Sequence, residues 1–298
     1  MSILIDETTR VLAQGLTGVQ GQRDARFCLD YGTRIVCGVT PGKGGETVYD
    51  LPVYNSVKEA VAAHEIDASV IYAPPMRTKD AILEALDGGI KTICALAEFV
   101  PRHDTAIVRA AAEAAGATVI GCNTNGIISA GKSKLGAIGG DDPDEVFAPG
   151  RIGVCSRSGG MSAEFGLTLR RAGLGVSTCV SMGGDVIPGT PMVRYIEMFV
   201  NDPETDAIVM FGEPGTTAEH EVAAFLRAGK CTKPLVALLA GAFQENYPKG
   251  VSFGHVAAMI QSDEDSVTAK RRMLADAGAC VAHTLGDVPR LIRAALGE

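Results

Sequence analysis

Short β-branched runs alternate with Ala-, Glu- and Leu-rich segments along the chain, and this alternation restricts the fold more than any other feature. Residues 11–14, 34–39, 69–73, 92–95 and 118–121 read as strands, and residues 57–64, 78–88 and 104–115 between them read as helices. Strand, helix and strand in regular succession build a parallel sheet with helices on both faces, because parallel neighbours need a crossover long enough to hold a helix. Ligands of such sheets sit at the carboxyl ends of the strands, so the chemistry is sought in the turns that follow them.

The rhythm breaks between 129 and 150, where Gly139-Gly140-Asp141-Asp142-Pro143-Asp144 interrupts it, and restarts at 151. Strands at 153–156, 177–181, 207–211, 234–240 and 279–281 then alternate with helices at 161–172, 192–200, 217–229, 265–277 and 285–296. The expectation is an α/β protein of two doubly wound domains, 1–128 and 151–298, joined by a connection at 129–150. A length of 298 residues supports two cores of about 150 residues each.

Charge and cysteine usage narrow the function classes. A formal net charge of -8 argues against a partner held by a broad basic field, such as nucleic acid, so any anion site must be local. The eight cysteines form no CxxC pair and no close Cys/His spacing, so no metal site is expected, and buried free thiols in a reducing compartment are. No stretch of about 18 apolar residues could span a bilayer, and Met1-Ser2-Ile3-Leu4-Ile5-Asp6 lacks a basic leader, which reads as a cytoplasmic protein without a membrane partner.

In the first half, the first strand runs into Gly15-Leu16-Thr17-Gly18-Val19-Gln20-Gly21, whose glycines let backbone N–H groups approach a phosphate at a helix N-terminus. The alternative is a tight turn with no ligand. After the second strand, where an NAD site needs an acid for the ribose hydroxyls, the chain has Thr40-Pro41-Gly42-Lys43. A cation there suits a phosphorylated ribose and leaves NADP and CoA both open. Residues 126–133 satisfy the Walker A spacing, but the Gly/Asp-rich stretch after them opens no helix, so a nucleotide site is not expected there.

In the second half, Ser156-Arg157-Ser158-Gly159-Gly160-Met161 closes a strand and starts a helix. Free backbone donors, serine hydroxyls and the helix dipole there make either an anion site or a simple cap by Ser158 with Arg157 solvated. Lys249 to Met259 presents His255 between glycines and an Ala-rich stretch expected to be helical, whereas His64, His103, His220 and His283 read as structural. Glu213, in Phe211-Gly212-Glu213-Pro214-Gly215, ends another strand of the same sheet and is placed to orient one imidazole nitrogen of His255, freeing the other as a nucleophile. A phosphoryl group taken up by His255 would be held by residues 156–160.

These motifs together resemble the alpha subunit of succinyl-CoA synthetase over the whole chain. The most specific pieces are 39–45, 156–159, Gly183-Gly184-Asp185-Val186-Ile187-Pro188-Gly189 and Gly254-His255. The resemblance implies a Rossmann-like CoA-binding domain followed by a flavodoxin-like ligase domain. It places CoA against Thr17, Gly18, Val19, Gln20, Lys43, Leu96, Ala97 and Glu98, makes His255 the phosphohistidine and Glu213 its orienting carboxylate, and assigns ATP or GTP, with its Mg, mainly to an ATP-grasp beta subunit in a heterodimer or heterotetramer. The product would be an acyl-CoA, made from a small organic acid through an acyl phosphate.

Three positions depart from that family. Gly121-Cys122-Asn123-Thr124-Asn125-Gly126 replaces a Gly-Pro-Asn-Cys-Pro-Gly turn near the CoA thiol, Pro214-Gly215-Thr216 replaces Ile-Gly-Gly, and Ala163 stands where a substrate-contacting Tyr is usual. Residues 156–161 read as in ATP-citrate lyase and citryl-CoA synthetase. The lost ring implies a reshaped acid pocket, for malate, citrate or sulfoacetate as well as succinate. The alternatives from other classes are an NADP-dependent oxidoreductase, which gives His255 and residues 156–160 no role, and a non-catalytic CoA-binding regulatory protein.

Overall fold

Val11, Leu12 and Ala13 are buried in succession, as are Val209, Met210 and Phe211 and Val236, Ala237 and Leu238. Strands without an exposed face are what helices on both sides of a parallel sheet produce. The computed structural model describes residues 2–254 and 257–298; His255 lies outside them.

The first sheet is built from β1 (Arg10–Gln14), β2 (Arg34–Val39), β3 (Thr47–Val48), β4 (Leu51–Tyr54), β5 (Ala68–Ile71), β6 (Thr92–Ala95) and β7 (Thr118–Gly121), in the order β3-β4-β2-β1-β5-β6-β7. All pairs are parallel except β3 with β4. Helices α1 (Val19–Asp30), α2 (Val57–Ala63), α3 (Pro75–Asp87) and α4 (Arg102–Ala115) cover it. From β1 the chain moves outward through β2 and β4, then returns to β5 on the other side, so the switch point lies between β1 and β5.

The second sheet contains β8 (Gly126–Ser129), β9 (Ser133–Leu135), β10 (Pro149–Ser156), β11 (Val176–Ser181), β12 (Ala207–Gly212), β13 (Leu235–Leu239) and β14 (Cys280–Ala282), in the order β14-β13-β12-β10-β11-β8-β9. Its helices are α5 (Gly159–Arg171), α6 (Met192–Asn201), α7 (Ala218–Arg227), α8 (Val267–Asp276) and α9 (Asp287–Leu296). Here the switch point lies between β10 and β12. The rings of Phe165 on α5 and Phe211 on β12 meet edge to face, 6.2 Å apart, in the core beneath it.

Two expectations change. The stretch read as a connection holds β9, and β8 begins before it at Gly126; both are antiparallel edge strands of the second sheet. The passage between sheets therefore runs through 122–125, and the Walker A spacing at 126–133 falls on a hairpin with no helix after it. The Ala-rich stretch at 257–260 is not helical either. Its Ile260 carbonyl accepts from the Gly250 N–H at 2.9 Å, and Ala257, Ala258 and Ile260 are buried. All eight cysteines are free. Among the described residues no helix is long and apolar enough to cross a membrane.

Candidate functional site

At the first switch point a crevice of about 700 Å³ opens over the carboxyl ends of β1, β2 and β5. The Gly15–Gly21 turn forms its floor. Gly15 has φ +80 and accepts the Gly18 N–H at 3.1 Å, and a side chain at Gly21 would overlap the Gly15 backbone, so the turn closes only with glycine at both ends. Thr17, Gly18, Val19 and Gln20 all line the crevice, opposite Val39, Thr40, Pro41, Tyr72, Pro74 and Arg77. Val19 stays 91% exposed at its mouth. Lys43 does not line it; its Nζ lies 2.8 Å from Glu46 Oε1 in an exposed pair. Leu96 and Ala97 also stand outside it, Leu96 buried and Ala97 accepting the Asn123 N–H at 2.9 Å.

At the second switch point the ends of β10 and β12 carry Ser156–Gly160 and Glu213. Ser158 caps α5, its Oγ accepting the Met161 N–H at 3.4 Å, while Ser156 Oγ donates to the Ser158 carbonyl at 2.8 Å and accepts its N–H at 3.1 Å. This leaves the first-turn amides of Gly159 and Gly160 without an intrahelical acceptor, aimed along the positive end of the dipole. Arg157 is not solvated. Its side chain is 2% exposed, donates to the carbonyls of Gly184 and Asp185 at 3.3 and 2.8 Å, and sets Nε 3.7 Å from Glu213 Oε2. Capping and anion-binding geometry thus occur together, with a buried guanidinium beside the carboxylate.

The turn that carries Glu213 is fixed from beneath by two fully buried side chains. Glu219 on α7 accepts the Glu213 N–H at 3.0 Å and the Thr216 hydroxyl at 2.9 Å, and Lys270 on α8 donates to Glu219 at 2.8 Å and to the carbonyls of Glu213 and Thr216 at 2.8 and 2.6 Å. Every donor of the ammonium is used, which is the condition for a buried ion pair to be tolerated. Gly215, at φ +79, lies so close to the backbone of Ala257 and Met259 that no side chain would fit. The chain on the other side of His255 is tied down by rings: Phe243, Tyr247 and Phe253 pack edge to face with centroids 4.9 to 6.4 Å apart.

Between the two sites lies a polar cavity of about 280 Å³, lined by Glu98, Asn123, Thr124, Asn125, Arg157, Ser158, Gly159, Gly160 and Gly184. It brings Glu98 from the first sheet to the α5 terminus of the second. Asn123 Nδ2 donates to Asp185 at 3.1 Å, and Asn125 Nδ2 to the Gly159 carbonyl at 3.1 Å. Burial raises the Asp185 carboxyl, against the Asn123 hydrogen bond and the Arg157 charge, and burial pushes the adjacent Cys122 thiol up to about 12, so that thiol is no nucleophile at neutral pH. Ala163, half-buried one turn into α5, lines neither cavity. Sequence reasoning missed Arg77, Asn125, Glu219 and Lys270. Asn125 stood in a quoted turn, whereas Glu219 and Lys270 sit in ordinary amphipathic helices and become a site feature only when α7 packs on α8.

Comparison with known proteins gives consistent matches. Residues 6–99 match the CoA binding domain and residues 155–280 the CoA-ligase family. The chain is 43% identical over 99% of its length to the succinate–CoA ligase [ADP-forming] subunit alpha 1 of Archaeoglobus fulgidus, covering 99% of that protein. It is 41% identical, over 100% of both chains, to an ADP-forming sulfoacetate–CoA ligase subunit of Bilophila wadsworthia. Among solved structures, ATP citrate lyase from Methanothrix soehngenii, determined with citrate and coenzyme A, superposes on 99% of the chain with a TM-score of 0.90 at 28% identity. The chain spans 50% of the length of that enzyme.

Proposed function

The chain belongs to the succinyl-CoA synthetase alpha-subunit family of NDP-forming acid:CoA ligases, and from that premise we propose that it makes an acyl-CoA from a small acid, CoA and a nucleoside triphosphate, with His255 as the phosphate carrier. The observation that carries the reading is the second switch point, where the α5 amides, the buried Arg157 and Glu213 converge.

In this reading CoA lies in the first crevice, its pyrophosphate on the Gly15–Gly21 turn and its adenosine against Val39 and Pro41. Glu98 and the 122–125 turn lie between that crevice and the α5 terminus, which gives an extended ligand a path from one site to the other. Lys43 serves the ribose phosphate by leaving Glu46, a surface pair that holds it weakly.

A nitrogen of His255 attacks the γ-phosphorus and the bond to the leaving NDP oxygen breaks. The acid carboxylate then takes the phosphoryl group as the P–N bond breaks, and the CoA sulfur displaces phosphate from the acyl phosphate. Gly159 and Gly160 amides hold the transferring oxygens, and Glu213 accepts from one imidazole nitrogen, which orients the other toward the phosphorus. The nucleotide comes from an ATP-grasp beta subunit, in keeping with the alpha-subunit names of the relatives. Sulfoacetate, malate and citrate are the acids to try beside succinate, in keeping with the names of the sulfoacetate–CoA ligase and ATP citrate lyase relatives.

The test is CoA- and ATP-dependent acyl-CoA formation by the chain with its co-purified partner across a panel of these acids. Activity on at least one acid, lost in His255→Ala, is expected. Full activity in that variant would remove the phosphohistidine from the mechanism. NADPH absorbance changes with no acyl-CoA formed would instead support the nicotinamide alternative.

A further inference from the structure

The first crevice has a charge arrangement that its glycine turn does not account for. Three charged residues line it, all on α3: Arg77, Asp80 and Glu84. Arg77 is the one cation among the described residues of the lining, and it stands exposed in the first turn of α3, where the dipole already favours anions. It forms no ion pair among the described residues, whereas its neighbour Lys79 lies 3.2 Å from Asp104 and 3.9 Å from Asp80. Glu84 is held by the Val57 N–H at 2.8 Å. Without Arg77 this wall would present two carboxylates to a ligand carrying several phosphate charges.

Resting on the reading of the crevice as the CoA site, we propose that Arg77 clamps the CoA pyrophosphate from the wall opposite the glycine turn. The sheet order decides which phosphate. Strands run β4-β2-β1-β5, so the ribose phosphate reaches the 40–43 turn after β2, the pyrophosphate lies over β1, and α3 follows β5 on the far side. Arg77 therefore faces the pyrophosphate, with the ribose phosphate one strand beyond. A guanidinium fork suits two phosphate oxygens at once, which the ammonium of a lysine does not.

The experiment is calorimetric binding of CoA, 3′-dephospho-CoA and pantetheine to the full chain, comparing wild type, Arg77→Ala and Arg77→Lys, with Gly18→Val as a control on the turn. A charge-assisted hydrogen bond lost to alanine weakens binding about 10- to 100-fold. That loss is expected equally for CoA and 3′-dephospho-CoA, with partial recovery in Arg77→Lys, no change for pantetheine and no change in melting temperature. Unchanged CoA affinity in Arg77→Ala, or a loss confined to CoA, overturns the assignment. Failure of the crevice reading looks different: wild type would not bind CoA, or Gly18→Val would bind it as well as wild type.

Discussion

Lys270 and Glu219 show how much of the site rests on residues remote from the chemistry. Both are fully buried, and between them they satisfy the amide of Glu213, its carbonyl, and the hydroxyl and carbonyl of Thr216. Removing the cation leaves a buried carboxylate unpaired, so Lys270→Met is expected to cost about 3–5 kcal/mol, read as a fall in the denaturant midpoint. An unchanged midpoint would mean that the pair does not organise the turn. Glu213 could be singled out from the sequence because glycines around a lone acid have few structural uses, and the structure places it at the end of β12 beside Arg157; His255, chosen on the same ground, lies outside the described residues. Lys270 could not, because a lysine at helical spacing reads as a solvated face until a second helix is known to cover it. For Arg157 the sequence left a solvated and an anion-binding reading open, since nothing in Ser-Arg-Ser-Gly states that the guanidinium turns inward; its burial removes the solvated one.

Elements were most legible where the backbone decides them alone. The runs at 34–39, 92–95 and 118–121 match β2, β6 and β7 to the residue, because β-branched runs bounded by turns have no competing structure. The hairpin β8–β9 was hidden, since its pairing is supplied by the open edge of β11 and not by its own short sequence. Alanine propensity at 257–260 was overridden by burial and by the bond from Gly250. The contact of Gly215 with Ala257 and Met259 makes this an element with a function: it fixes the spacing between the Glu213 turn and the segment after His255. Gly215→Ala must move one of the two backbones. The expected result is phosphoryl uptake reduced about tenfold or more, equivalent to about 1.4 kcal/mol in the barrier, with near-ultraviolet circular dichroism retained. Uptake at the wild-type rate would show that the spacing is unimportant. Ser158→Ala, which removes the α5 cap, is expected to cost about 1 kcal/mol of stability, measured in the same denaturant series.

At the scale of the molecule, the passage at 122–125 joins the two sheets, and Lys132, in the β8–β9 turn, ties the amino-terminal segment to the second unit by donating to Ser2 at 3.2 Å while it meets Glu204 at 2.7 Å. The hydrogen bond from Lys132 holds the Glu204 carboxyl down, from 4.5 to about 2. A depressed carboxyl contributes stability above its unfolded pKa and loses it as the pH falls through that window. Glu204→Gln should therefore melt below wild type at neutral pH, and the gap should narrow as the pH is lowered from about 5 and close near about 2; a gap independent of pH would assign the loss to packing. The doubly wound architecture was legible because strand and helix periods alternate throughout, while the way the two sheets share the cavity at Glu98, Asn123 and Arg157 depends on the 122–125 turn, whose geometry no periodicity encodes. In the proposed reaction that shared cavity is where the CoA thiol would reach the acyl phosphate. The most direct measurement incubates the chain and its co-purified partner with γ-labelled ATP. Acid-labile, alkali-stable label on the chain is expected, absent in His255→Ala and discharged when acid and CoA are added together. Label retained by His255→Ala, or none taken up by the wild type, would contradict the phosphohistidine mechanism.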